Sequence, residues 1–181
     1  MKPTYREDKA TQAAALFLRL RGGKMSHLKL MKLLYLAERE ALLRWGRPIT
    51  YDYCVSMDHG PVLSQTLNIV HGETQIDGLW KKSISPPEDQ KVEIIKDPGV
   101  DKLSDAEEQL IREIFDKHGA KSRWELRDFT HTLEEWEDPK GSSTRIDYKE
   151  ILQAGNKTEA EIVSILADIE SLAVAEEFFE R

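Results

Sequence analysis

The stretch YDYCVSMDHGPVLSQTL holds the side chains best suited to nucleophilic chemistry, because the single cysteine, Cys54, lies close in sequence to His59. A catalytic thiolate needs an imidazole base within hydrogen-bond reach. Residues 51–58 alternate apolar or aromatic with polar side chains, which predicts a half-buried strand with Cys54 on the same side as Asp52 and Ser56. His59 follows that strand, so the spacing does not bring the imidazole to the thiol. We therefore predict no catalytic residue.

Metal- and cofactor-binding motifs are absent from the sequence. The five histidines form neither an H-E-x-x-H pair nor a set with zinc-ligand spacing to cysteine; they are His27, His59, His71, His118 and His131. The chain also has no Walker-type glycine loop, nucleophile elbow or dinucleotide-binding fingerprint. The sequence therefore predicts no metal, no cofactor and no enzymatic activity.

The turn that contains Asp58, His59, Gly60 and Pro61 is predicted to join the short strand to a helix. Pro61 suits a first helical position, and Gly72 suits a left-handed cap at the helix end. Two roles stay open for this turn. It is a sharp bend whose glycine permits unusual dihedral angles, or it is part of a partner-contacting surface, since rigidly held loops commonly carry binding residues.

The length and composition predict one domain. At 181 residues with 40% hydrophobic content, the chain is long enough for one sizeable core, and we expect a single unit over residues 1–181. A lone cysteine excludes an intramolecular disulfide framework and suits a reducing compartment. The apolar runs of the chain are too short or too charged for a signal peptide or a membrane span. We expect a cytoplasmic protein without membrane contact.

The charge is distributed unevenly along the chain. The net charge is −7, yet residues 1–60 carry 11 Lys and Arg against 6 Asp and Glu. Overall acidity argues against binding long nucleic acid, which depends on a concentrated basic face. A local basic patch in the first third remains open, formed by Arg19, Arg21, Lys24, Lys29 and Lys32.

Apolar periodicity and capping signals predict a mainly α fold, a single globular helical domain of about six helices with a short strand and a small β-hairpin. The helices are predicted at residues 8–21, 26–46, 61–72, 104–118, 122–137 and 158–181, and the hairpin at residues 79–96. Ser26 and Gly46 delimit the core helix, which is apolar over most of its circumference. The last helix, 158–181, is acidic and amphipathic. Capping boxes start three helices, at Ser104 with Glu107, Ser122 with Glu125, and Thr158 with Glu161.

Several motifs in this order resemble a known family. They are LKLMKLLYLAERE, GRPIT, MDHGPVLSQTL and LSDAEEQLIREIFDKHGAKSRWELRDFTHTLEEW. Over roughly residues 9–151 the chain is similar to the Panacea domain, the SocA-like (also GepA-like, phage-associated) antitoxin family. The signature residues that carry the resemblance are Lys32, Leu33, Tyr35, His59, Gly60, Pro61 and Thr130.

The resemblance implies a mainly helical antitoxin of a toxin-antitoxin system, which neutralises a toxin encoded beside it by direct binding. In SocA-like members it also implies delivery of the toxin to a ClpXP-type protease. It implies no catalytic residues and no toxin class, and the oligomeric state stays open. The alternative is a DNA-binding regulator of its own operon, although the helix after Gly22 and Gly23 is too apolar to lie in a groove.

Candidates for toxin contact are concentrated in one segment. Stable interfaces place a few aromatic or arginine anchors at a desolvated centre. The candidates are Arg123, Trp124, Arg127, His131 and Trp136. The spacing of Arg127 and His131 predicts that they share one helix face, which can be exposed even if the tryptophans belong to the core. The basic patch is the next candidate.

The first prediction concerns the single thiol. Because no base is placed beside Cys54, we expect Cys54→Ala to leave protection of growth against the toxin essentially intact. A folded, toxin-binding Cys54→Ala variant that no longer protects growth would instead indicate turnover chemistry.

Overall fold

The chain folds around one long helix, and the computed structural model describes residues 2–75 and 77–179. Within these residues the helices are α1 (Glu7–Leu20), α2 (His27–Trp45), α3 (Ser64–Val70), α4 (Leu79–Ser83), α5 (Asp105–His118), α6 (Arg123–His131), α7 (Tyr148–Ala154) and α8 (Glu159–Phe179). The strands are β1 (Lys24–Ser26), β2 (Cys54–Met57), β3 (Gly60–Leu63), β4 (Lys91–Glu93) and β5 (Thr144–Ile146). The predicted mainly α fold is confirmed.

Helix α2 is the centre of the core, as predicted. The Ser26 hydroxyl accepts a hydrogen bond from the Lys29 amide, and Gly46 closes the helix in the left-handed conformation with φ of 65°. Its side chains are buried on nearly every side, including Leu33, Leu34 and Tyr35. Helices α1, α5, α6 and α7 and strand β3 all pack against it. These contacts make α2 the element that the largest part of the core packs against.

Two small antiparallel sheets flank α2. Strand β1 pairs with β4, and the second sheet has the strand order β3-β2-β5. Within β2, Cys54 lies opposite both Leu63 and Ile146. Cys54 and Ser56 are buried, as is Asp52 just before the strand, which confirms the predicted alternation.

The predicted strand-to-helix turn is wrong, because the turn joins β2 to β3. Gly60 and Pro61 belong to β3, where they lie opposite Met57 and Ser56. Strand β3 is at the edge of its sheet, where a residue without an N–H group is tolerated. Helix α3 starts only at Ser64. Gly72 follows its end with φ of 70°, the left-handed conformation that the sequence predicted.

The described residues contain eight helices and not six. Helix α4 replaces the predicted first strand of the hairpin, of which two isolated antiparallel bridges remain, Ile84 with Ile94 and Glu88 with Lys91. The Glu7 carboxylate of α1 accepts hydrogen bonds from the amides of Leu79 and Trp80 at the start of α4, at 3.2 and 2.6 Å. This cap comes from a distant part of the chain, so no local pattern could indicate it.

Helix α7 is the second addition, and here a local signal was present. Asp147 and Glu150 form a capping box around its start. The three predicted capping boxes are present, at Ser104 with Glu107, Ser122 with Glu125, and Thr158 with Glu161.

The ends of the helices α6 and α8 need comment. Helix α6 ends at His131, six residues earlier than predicted, and Trp136 lies outside it. In α8, Ile162, Ile169 and Ala173 are buried, while the apolar side chains of Val163 and Val174 are exposed. Residues 180 and 181 of the predicted last helix lie outside the described residues.

Truncating Leu34 should destabilise the fold. Its side chain is only 2% exposed in the centre of α2. Loss of buried surface and the remaining cavity should lower the free energy of unfolding of Leu34→Ala by about 2–5 kcal/mol. Denaturant unfolding measures this, with Val163→Ala, an exposed apolar position on α8, as the control that should change it by less than about 0.5 kcal/mol. Equal effects of the two variants would contradict this assignment of the core.

Candidate partner-binding site

The turn between β2 and β3 makes a close approach to two other elements. Gly60 has φ of 97°, a conformation that favours glycine. A Cβ atom on Gly60 would lie 2.6 Å from Oγ1 of Thr130 in α6 and 3.1 Å from Nζ of Lys32 in α2. Both the backbone angle and the contact distances therefore require glycine here. The architectural role foreseen for this turn agrees with the structure, although the turn lies between strands.

Lys32 connects α2 to this turn through its ammonium group. The side chain is fully buried, and Nζ donates a hydrogen bond of 2.8 Å to the carbonyl of Pro61. Burial lowers the pKa of Lys32 to about 7. On α6, Thr130 is also fully buried, and its hydroxyl donates to the Arg127 carbonyl at 2.9 Å. The hydrogen bond of Lys32 thus attaches strand β3 and the β2–β3 turn directly to the central helix.

The structure brings five of the seven signature residues together around the turn: Lys32, His59, Gly60, Pro61 and Thr130. The other two lie elsewhere on α2. Leu33 belongs to the hydrophobic core, and the hydroxyl of Tyr35 donates to the Glu135 carboxylate at 2.9 Å. Arg39 donates to the same carboxylate at 2.6 Å. This second contact ties the segment after α6 to α2.

Trp124 forms the exposed part of the site. Its side chain is 44% exposed at the start of α6. The guanidinium groups of Arg123 and Arg127 lie over its ring, 4.8 and 4.9 Å from the centroid, in cation–π geometry. The edge of the His59 imidazole meets the indole with 6.2 Å between ring centroids. We call these four residues, His59, Arg123, Trp124 and Arg127, the Trp124 face.

His131 and Trp136 pack against the β2–β3 turn and are not part of the Trp124 face. Their rings stack with 4.0 Å between centroids, and the Trp136 indole donates to the carbonyl of Met57 at 3.0 Å. Burial lowers the pKa of His131, while a hydrogen bond with the Asp58 backbone works in the opposite direction. Its Nε2 is buried without a hydrogen-bond partner among the described residues. The stacked rings of His131 and Trp136 therefore fix the position of the turn. His131 is the last residue of α6, and it is not a freely exposed neighbour of Arg127.

Sequence reasoning missed two buried glutamates that join neighbouring segments to α2. Glu135 receives the bonds from Tyr35 and Arg39. Glu38 accepts hydrogen bonds from the amides of Ile49 and Thr50 and from the Thr50 hydroxyl, and burial raises its pKa to about 7. Glu38 lies on α2 and Glu135 follows the end of α6, and the sequence contained no signal that these two differ from the surface glutamates.

The geometry disfavours nucleophilic chemistry at Cys54. The thiol is buried, and burial raises its pKa well above the ordinary value, which disfavours the reactive thiolate. Among residues 2–75 and 77–179, no group of three His, Cys, Asp or Glu side chains is arranged to hold a metal ion. The same part of the chain has no helix that is long and apolar enough to span a membrane.

The comparison with known families identifies the class of this protein. The sequence model described as "Antitoxin SocA-like, Panacea domain" matches residues 30–137, which is more than half of the chain. The chain therefore belongs to the SocA-like antitoxin family, as the resemblance predicted, and the matched range contains all of the signature residues and the whole Trp124 face. No curated protein and no solved structure matches the chain.

Replacing Lys32 by Met should change how stability depends on pH. The ordinary pKa of 10.5, expected for the unfolded chain, falls to about 7 in the folded protein. Between these values the unfolded state binds more protons, so Lys32 makes the wild-type free energy of unfolding rise with pH. Methionine fills similar space without charge but leaves the Pro61 carbonyl without this donor, so Lys32→Met should compare most favourably with the wild type at pH 6 to 7.

The stability of Lys32→Met relative to the wild type should fall by roughly 1.4 kcal/mol per pH unit above pH 7. Denaturant unfolding of both proteins from about pH 6 to about pH 9 measures the difference. Parallel pH profiles would show that Lys32 keeps its proton in the folded state.

Proposed function

We propose that this antitoxin neutralises a toxin encoded by an adjacent gene by binding it directly through the Trp124 face. The observation that carries the proposal is the exposed indole of Trp124 with the guanidinium groups of Arg123 and Arg127 over it. Trp and Arg are the residue types most enriched among the anchors of protein–protein interfaces. The proposal implies a cytoplasmic site of action.

The surroundings of Trp124 support a preformed contact surface. The turn beside it is held by the Lys32 hydrogen bond, the Gly60 contact and the indole of Trp136. A surface whose neighbours are fixed before binding loses little conformational entropy on association. Preorganisation of this kind favours tight inhibition of a toxin by steric occlusion.

The alternative of an operon regulator that inserts α2 into DNA has less support. A recognition helix must present polar side chains along one accessible face. Helix α2 instead buries twelve of its side chains from Lys29 to Leu42. Delivery of the toxin to a ClpXP-type protease is compatible with the proposal and can be tested separately, because it predicts a shorter half-life of the toxin only in cells that contain the protease.

Changing the Trp124 face should weaken toxin binding without unfolding the protein. The toxin is the product of the adjacent open reading frame, co-purified with the antitoxin and used at known concentration. We expect Trp124→Ala and Arg127→Glu each to raise the dissociation constant roughly 30-fold or more, as for typical interface anchors. Rescue of growth should fall in parallel, and the melting temperature should stay nearly constant because both side chains reach the surface.

Two matched controls lie elsewhere on the molecule. Trp45→Ala removes a tryptophan that is 40% exposed, compared with 44% for Trp124, at the opposite end of α2 from α6. Arg112→Glu reverses a charge on the exposed side of α5. If Trp124→Ala and Arg127→Glu bind and protect like these controls, the toxin contacts another surface.

A further inference from the structure

A second surface beside the Trp124 face concentrates positive charge. It is a cleft of about 380 Å³ lined by Arg21, Lys24, Met25, Ser26, Lys29, Lys91, Ser122 and Arg123. Five of these eight residues are cationic, and no acidic residue of the described chain belongs to the lining. The whole protein has a net charge of −7. So many cations in one concave site of an acidic protein repel each other unless an anion neutralises them.

Lys29 makes this cleft more than a set of surface lysines. It is only 7% exposed, and its ammonium group donates to the Gly119 carbonyl without a carboxylate partner. Burial, with a smaller contribution from the charge of Arg21, lowers the pKa of Lys29, and the negative charge of Glu125 acts in the opposite direction. A buried cation that faces other cations costs free energy in the unliganded protein. Binding of an anion would recover that cost.

The acidic residues nearby neutralise little of this charge. Glu93 is 3.7 Å from Lys24 in an exposed ion pair. The carboxylate of Glu125 accepts a hydrogen bond from the amide of Ser122 within the capping box of α6, and its charge offsets part of the charge of Lys29 without a direct ion pair. Among the described residues, Arg21 and Lys91 have neither an ion pair nor a side-chain hydrogen bond, and both are exposed at the rim. They are available to contact a ligand.

We propose that this cleft binds a phosphate-bearing ligand with at least two phosphate groups. Five cations exceed the charge of a single carboxylate and match the several charges of a diphosphate or triphosphate. Arginine and lysine together suit phosphate, because arginine offers paired N–H donors and lysine a compact charge. The cleft also lies between the starts of α2 and α6, whose dipoles favour negative charge.

The lining also predicts what the site recognises. Among the described residues, Met25 is the one apolar side chain that lines the cleft. No aromatic ring of these residues lines it, so a nucleotide base has no ring to stack on. Affinity should therefore follow the number of phosphates and depend little on the base. The same chemistry is present in a free nucleoside polyphosphate and in consecutive phosphates of a nucleic acid strand. This inference does not depend on toxin binding.

Arg123 provides a readout, because it belongs to the cleft and also lies over the ring of Trp124. A ligand that draws the Arg123 guanidinium toward its phosphates changes the environment of the indole. Binding should therefore alter tryptophan fluorescence in the wild type. In Trp124→Phe the same affinity should be found by calorimetry, and the fluorescence change should be largely lost.

The test is a calorimetric titration of the full chain with inorganic phosphate, pyrophosphate, triphosphate and ATP. We expect affinity to increase from phosphate to triphosphate, with ATP close to triphosphate. Arg21→Glu combined with Lys91→Glu should weaken triphosphate binding at least tenfold, the effect of losing charge-assisted hydrogen bonds. The control is Arg47→Glu with Arg112→Glu, which changes the net charge equally at exposed positions outside the cleft.

Competition by a short single-stranded oligonucleotide, with steep salt dependence, would assign the phosphates to nucleic acid. Triphosphate binding without such competition would assign them to a free nucleotide. The proposal is overturned if triphosphate does not bind at millimolar concentration or if the cleft and control variants bind it equally. It is also overturned if a glutamate oligomer of equal charge binds as tightly, because the cleft would then be a site for acidic protein segments.

Discussion

The hydrogen bond from the buried ammonium of Lys32 to the carbonyl of Pro61 is the contact on which the candidate site depends. It joins the central helix to the β2–β3 turn at a point where only glycine fits, at position 60, against Thr130 of α6. Burying a lysine without a carboxylate partner costs stability. The protein retains this group at the position that aligns the turn with α6, and the exposed indole of Trp124 lies beside that turn. This destabilising group therefore lies where the candidate site is assembled.

Two neighbouring surfaces share one residue. Arg123 lies over the ring of Trp124 on one side and lines the basic cleft on the other. If both proposals hold, a ligand in the cleft and a toxin on the Trp124 face would compete for, or cooperate through, the same guanidinium group. Such coupling would be reciprocal, since each ligand would change the affinity for the other by the same factor.

Signals that lie within a few residues of the element they define were readable from the sequence. Ser26 and Gly46 delimit α2, and the Ser104 and Ser122 capping boxes start α5 and α6 as predicted. The contacts that assemble the site could not be predicted in this way. The cap that Glu7 provides for α4 and the meeting of Lys32 with Gly60 join residues far apart in the chain. Arg123, Trp124 and Arg127 were predicted as a group, but their packing around one indole required the structure.

Hydrogen exchange of the antitoxin, alone and with the toxin from the adjacent open reading frame, tests the central claim most directly. The amides of residues 57–60 and 123–131 form the turn and the helix that carry the Trp124 face. We predict that toxin slows their exchange, while the outer part of α8, residues 170–179, exchanges as in the free protein. Protection confined to α8, with no change around the turn and α6, would contradict the account.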